Sequence, residues 1–190
     1  IESLDVAIEA AREQLTDTGL MRGKLEGEIN VLKEQINSAH GSETHLNNRK
    51  AALEEEIDKA VADGFSYFIT GGAEGVDTWA AEIVLDRKKR NPEITLELAK
   101  PFANYNSCLK NDYGDRLRAI EASADHVTVV SDGADEAADY ILRDCYMVDA
   151  SERMIIVYDD DSKGPSGTKD ALLYARSSGV EIRQIQWMHL

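Results

Sequence analysis

Two short segments of this chain have the make-up of anion-binding turns. The first, Thr70-Gly71-Gly72-Ala73-Glu74-Gly75-Val76-Asp77, stands between a short apolar run and an amphipathic one. Glycines let the backbone turn sharply and approach a ligand closely. The free N–H groups and positive dipole end of a following helix then favour phosphate. The spacing is neither that of G-x-G-x-x-G nor that of a P-loop, since no Gly-Lys-Ser/Thr follows. A tight strand-to-helix turn without a ligand fits the same letters. The second segment, Gly164-Pro165-Ser166-Gly167-Thr168, repeats the arrangement with a hydroxyl on each side of Gly167. Two such turns at one sheet edge point to one shared ligand more strongly than either does alone.

Other side chains with chemical potential lie nearby. Arg143 is the best candidate for a charge-assisted contact to phosphate, and an ion pair with Asp139 or Asp144 is its alternative. Asp159, Asp160 and Asp161 follow an apolar run and suggest Mg²⁺, but a solvated loop explains them as well, and no metal or cofactor is expected. The thiols of Cys108 and Cys145 are too few and too scattered for a disulfide framework or a metal site, and fit a reducing cytoplasm. Cys145 reads as a small buried apolar residue.

The elements that must position these groups alternate. Strands are expected at 65–70, 94–99, 126–131, 153–158 and 181–187, with helices at 76–90, 112–123, 135–149 and from 168 to just before Gly179. That order predicts an α/β, Rossmann-like, mainly parallel sheet flanked by helices, with ligands bound beyond the carboxyl ends of its strands. Ahead of it, Leu4, Ile8, Ala11, Leu15, Leu25, Ile29, Leu32 and Ile36 keep one register with intervals of four and three. Such a seam suits a helix packed on a partner helix, which predicts a coiled-coil arm over 1–41 and a Rossmann-like domain over 42–190.

Thr18 and Arg22 fall on the seam, with Gly19, Gly23 and Gly27 beside it, so a hairpin turn at 16–19 is the alternative to one long arm. Residues 37–42 read as a joint, and Gly64 as the C-terminal cap of a second helix.

Bulk composition narrows the function classes. The chain has 190 residues, a formal net charge of −15, and 43% hydrophobic and 30% charged residues. That acidity repels a phosphate backbone, so nucleic acid is disfavoured as a partner. The basic run Arg87-Lys88-Lys89-Arg90 reads as a helix C-terminus. No apolar run is long enough to cross a bilayer, and a cytoplasmic location is expected.

From Phe68 to Asp77, then at Trp79-Ala80-Ala81-Glu82, the sequence resembles the YpsA-like family of the SLOG superfamily. The likeness continues through Pro101-Phe102, Ala124-Asp125, Tyr146-Met147-Val148-Asp149, Ile156-Val157-Tyr158-Asp159 and Gly167-Thr168. The superfamily groups Rossmann-like nucleotide-binding domains with the DprA and LOG (Lonely Guy) proteins. The resemblance implies a pocket for a nucleotide-derived phosphorylated ligand. It places Gly71, Gly72, Ala73, Glu74, Gly75, Asp77, Arg143, Asp159, Ser166, Gly167 and Thr168 around that pocket, and it implies no particular reaction.

Three departures stand out. Nothing ahead of Ser42 resembles the family's first strand, Asp144 replaces an amide, and Pro165-Ser166-Gly167-Thr168 replaces Gly-Gly-Thr. LOG proteins cleave the glycosidic bond of nucleoside monophosphates with a Glu three residues beyond this Thr. Here that place holds Ala171, with Asp170 rotated away by about 100° on a helix. The resulting expectation is a ligand sensor or sequestering module, homo-oligomeric through its arm. A phosphoribohydrolase and an oligomeric scaffold with a vestigial site are the alternatives, and no catalytic residue is assigned. Gly72→Asp is expected to abolish binding while leaving the fold.

Overall fold

The structure is a computed structural model that describes residues 2–108, 111–158 and 166–186. In chain order it has α1 (Glu2–Ala62), β1 (Tyr67–Thr70), α2 (Val76–Lys88), β2 (Thr95–Lys100), a 3₁₀ turn (Tyr105–Cys108) and α3 (Asn111–Ser123). Then come β3 (His126–Val129), α4 (Glu136–Asp149), β4 (Arg153–Val157), α5 (Gly167–Ser178) and β5 (Glu181–Ile185). The alternating α/β order expected from the sequence is present. Two compact units divide between Asn47 and Asn48.

The expected joint at 37–42 is helical instead. Its hydroxyls do not cap a new helix. Ser42 and Thr44 donate back to the Ser38 and His40 carbonyls at 3.0 and 2.9 Å, which satisfies them inside the helix. Thr16 and Thr18 do the same toward Arg12 and Gln14, and no hairpin turn forms at 16–19. Gly64 ends α1 with φ +99°, while the Gly64 and Phe65 amides donate to the Val61 and Ala60 carbonyls.

Every strand pairing is parallel, but the strands form two sheets where one was expected. One has the order β1-β2-β3, the other is β4-β5. A common core still joins them. Leu53 and Ile57 of α1 and Ala81, Ile83 and Val84 of α2 cluster with Ile94, Leu96 and Ile185, and Phe68, Ile155 and Val157 pack on that cluster. The opposite face of the first sheet carries a carboxylate. Glu97 is almost fully buried and accepts from the hydroxyls of Tyr67, Thr128 and Tyr146 at 2.6, 2.5 and 2.7 Å. Because Tyr146 belongs to α4, that helix covers the face opposite α1 and α2. Burial raises the Glu97 pKa, but the three hydroxyl donors outweigh it and hold the group below its ordinary value.

Candidate functional site

The carboxyl end of β1 turns through a loop held by bonds within itself and by two side chains from α3 and α4. The Thr70 hydroxyl donates to the Asp77 carbonyl at 3.0 Å and accepts from the Gly72 amide at 3.3 Å. The Asp77 carboxylate accepts from the Ala73 amide at 3.2 Å. Arg143 donates to the Gly71 carbonyl at 2.7 Å, and Tyr113 donates to the Gly72 carbonyl at 2.6 Å. Two amides that would face an anion are therefore already held by this protein's own oxygen atoms.

Glycine is required here for two reasons. A β-carbon on Gly71 would overlap the Arg143 guanidinium. At Gly72 φ is +67°, and a β-carbon would stand 2.7 Å from both Leu117 Cδ1 and Leu98 Cδ1. Gly72 therefore supports the fold as well as the loop, and Gly72→Asp is expected to destabilise the fold, contrary to what the sequence suggested. Gly75, with φ +98°, opens α2 in free space.

Three charged side chains, Arg143, Asp77 and Asp144, gather beside the first turn. Arg143 is buried, with its Nε 2.8 Å from the Asp144 carboxylate but not aligned for a hydrogen bond. The Tyr140 ring lies 5.6 Å from its Cζ. Burial pushes the Asp77 carboxyl above its usual range, against the pull of Arg143 and the Ala73 and Gly71 amides. Asp144 is also pushed up by burial and by Asp77, again opposed by Arg143. Asp139, the other partner considered for Arg143, is bonded to Ser131.

The second turn opens α5. Ser166 is its N-cap, and the hydroxyl accepts from the Lys169 amide at 3.2 Å. Gly167 and Thr168 begin the helix and are exposed. Asp159 and Pro165 lie outside the described residues.

One cavity of about 480 Å³ takes in both turns. Ala73, Glu74, Asp77, Arg143, Gly167 and Thr168 line it, and so does Asp144. Gly71, Gly72, Gly75 and Ser166 are beside it without lining it. Ala171 reaches the cavity, whereas Asp170 is exposed and outside it. Cys145 is outside it too, and burial with nearby Asp149 and Asp144 raises its pKa away from thiolate chemistry. Sequence reasoning missed Tyr113, which carries no signal without the fold. It offered Asp144 as an alternative ion-pair partner of Arg143, and that pair is present, buried rather than at the surface.

Parallel strands, crossover helices and glycine-bearing turns at strand ends define a Rossmann-like α/β domain. The YspA SLOG family matches residues 34–190, and the chain belongs to that family. Among curated relatives, a UPF0398 protein of Halalkalibacterium halodurans is 30% identical over 116 residues, 60% of this chain and 61% of the relative. One from Brevibacillus brevis is 30% identical over 60% of this chain and 62% of the relative. One from Lysinibacillus sphaericus is 27% identical over 60% and 65%. The chain thus spans about three-fifths of the length of the relatives it matches. Among the described residues, no helix is long and apolar enough to cross a membrane.

Proposed function

We propose that the domain from Asn48 onward binds a nucleotide-derived phosphorylated ligand, as a cytoplasmic sensor or sequestering module. The observation that supports this reading is the shared cavity. The openings of α2 and α5 both reach it, and the buried Arg143 is the lining cation beside those openings. The volume, about 480 Å³, suits a ligand of nucleotide size. The phosphoryl group sits between Ala73 and Gly167, and the rest of the ligand extends over the apolar lining. A phosphoribohydrolase reading is less well supported, because Ala171 offers no carboxylate where one is needed and Asp170 points elsewhere.

The arm sets the oligomeric state in this proposal. Its seam residues Leu4, Ile8, Leu15, Leu25, Ile29, Leu32 and Ile36 are 46–75% exposed in the single chain, an apolar stripe that a second helix would cover.

The test is to heat-denature the purified protein, identify any released small molecule, and run a thermal-shift panel of nucleoside mono-, di- and triphosphates. A true ligand raises the melting temperature with concentration. Release of ribose 5-phosphate and free base from a monophosphate would favour the hydrolase. An empty protein with no shift leaves the scaffold.

A further inference from the structure

From Leu4 to Asn48 every side chain of α1 is exposed, and residues 1–47 form a unit of their own. The apolar seam of this arm fits a heptad repeat abcdefg. Ile8, Leu15, Arg22, Ile29 and Ile36 hold the a positions, and Leu4, Ala11, Thr18, Leu25 and Leu32 hold d. From Leu4 to Ile36 the helix runs for about 50 Å at 1.5 Å per residue. That exceeds the roughly three to four heptads at which such a seam argues for a coiled coil.

The charged residues beside the seam carry a direction. Asp5, Arg12, Glu26 and Lys33 all stand at e, with Gly19 midway between them. Read along the chain, the e positions are negative, positive, uncharged, negative and positive. Read backwards, they are the complement of that series. Two helices running in opposite directions set e against e, whereas parallel helices set e against g. A charge series that complements its own reversal therefore suits an antiparallel pair of identical chains.

We infer that the arm pairs with a second copy of this chain, antiparallel, with Leu4 opposite Ile36 and the twofold axis level with residue 20. This rests on the reading that the arm is the oligomeric contact, and adds its direction and register. Asp5 then meets Lys33 of the second copy and Arg12 meets its Glu26, each pair made twice by the symmetry, and the two Gly19 residues meet at the centre. The core layers set large side chains against small ones, Ile29 on Ala11 and Arg22 on Thr18, alongside Leu15 on Leu25 and Ile8 on Leu32. In the single chain Arg12 lies 3.7 Å from Glu9 and Arg22 donates to Glu26 at 2.8 Å, all on exposed side chains that the second copy can engage as well.

Other arrangements meet like charges. Sliding by one heptad sets Arg12 on Lys33 in one sense and Asp5 on Glu26 in the other. A parallel, in-register pair stacks Arg22 on Arg22 and Ala11 on Ala11, and the one opposite-charge pair it gains between g and e is Glu28 with Lys33.

Full-length chains with Cys108→Ser and Cys145→Ser test the direction, each carrying one new cysteine in the seam. Under mild oxidation a mixture of Leu15→Cys and Leu25→Cys chains should give a disulfide-linked pair, and Leu25→Cys by itself should give none. Cross-linking of Leu25→Cys to itself, or a silent mixture, overturns the antiparallel register but leaves the arm as the oligomeric contact. Sedimentation equilibrium tests the charges. Lys33→Glu should weaken the dimer by about three- to tenfold, and adding Asp5→Lys to the same chain should restore it. The two positions lie about 42 Å apart on one helix, so the rescue acts between chains. A dimer indifferent to Lys33→Glu, or not rescued, also overturns the register. A wild-type chain that sediments as a monomer would remove the arm reading itself, and the register with it. None of these readings depends on nucleotide binding.

Discussion

Gly167→Asp isolates the ligand site from the fold. Gly167 is exposed at the first position of α5, and its backbone has no left-handed requirement. A β-carbon there meets only Asp144 Oδ2, at 3.8 Å. An acidic residue in the first helical turn complements the dipole by roughly 0.3–1 kcal/mol, which offsets the repulsion from Asp144 and keeps the stability change within about 1 kcal/mol. The ligand is affected quite differently. A phosphoryl dianion seated about 5 Å away meets a new unit charge, and at an effective dielectric between bulk water and protein surface this costs roughly 2–3 kcal/mol. That is a loss of about 30- to 150-fold in affinity. Calorimetric titration with the nucleotide that gives the largest thermal shift measures it, with urea unfolding as the control. Unchanged affinity in a stably folded Gly167→Asp chain would remove the α5 opening from the site.

Four further outcomes are expected. Gly72→Ala, with its β-carbon against Leu117 and Leu98 and φ at +67°, should lose roughly 2–4 kcal/mol in chemical denaturation, and an unaltered midpoint would show that the leucines give way. Glu97→Gln should cost about 2 kcal/mol at neutral pH. Because the folded pKa of Glu97 lies below the unfolded one, this stabilisation is complete above the ordinary glutamate range and fades as pH falls through the lowered value. The gap between wild type and Glu97→Gln should therefore close in acid, and a gap independent of pH would refute the ionised network. Asp144→Asn should tighten anion binding by about tenfold by freeing Arg143 from one carboxylate, measured in the same titration. Removal of residues 1–38 should lower the number of chains per sedimenting particle, whereas an unchanged number would mean that the seam binds no second chain.

The sequence revealed the order of the elements because each carries its own local signal. Apolar runs mark strands, capping residues such as Ser166 and Gly64 mark helix ends, and glycines mark the turns. Local signals misled where a side chain has two ways to satisfy itself. Ser42 and Thr44 suggest a break, yet their hydroxyls bond one turn back and the helix continues. Long-range facts had no local trace. The contact of Gly72 with Leu98 and Leu117 depends on β2 and α3 packing over the loop, and nothing near residue 72 predicts it. The division into two sheets was equally hidden, since each strand has the same pattern whether or not its second edge is paired.

The site's electrostatics carry a further consequence for any ligand. Arg143 faces two carboxylates, Asp77 and Asp144, and burial raises the pKa of both. An incoming phosphoryl group would raise them further by repulsion, so binding should draw in protons. Asp77 also holds the Ala73 amide, which an anion in that turn would have to take over. Protonating Asp77 weakens its hold on the amide and removes the repulsion in one step, so anion affinity should rise as pH falls from neutrality toward the raised carboxylate values. Calorimetry in two buffers of different ionisation heat measures the proton directly, and a binding enthalpy independent of buffer would show that neither carboxylate yields to the ligand.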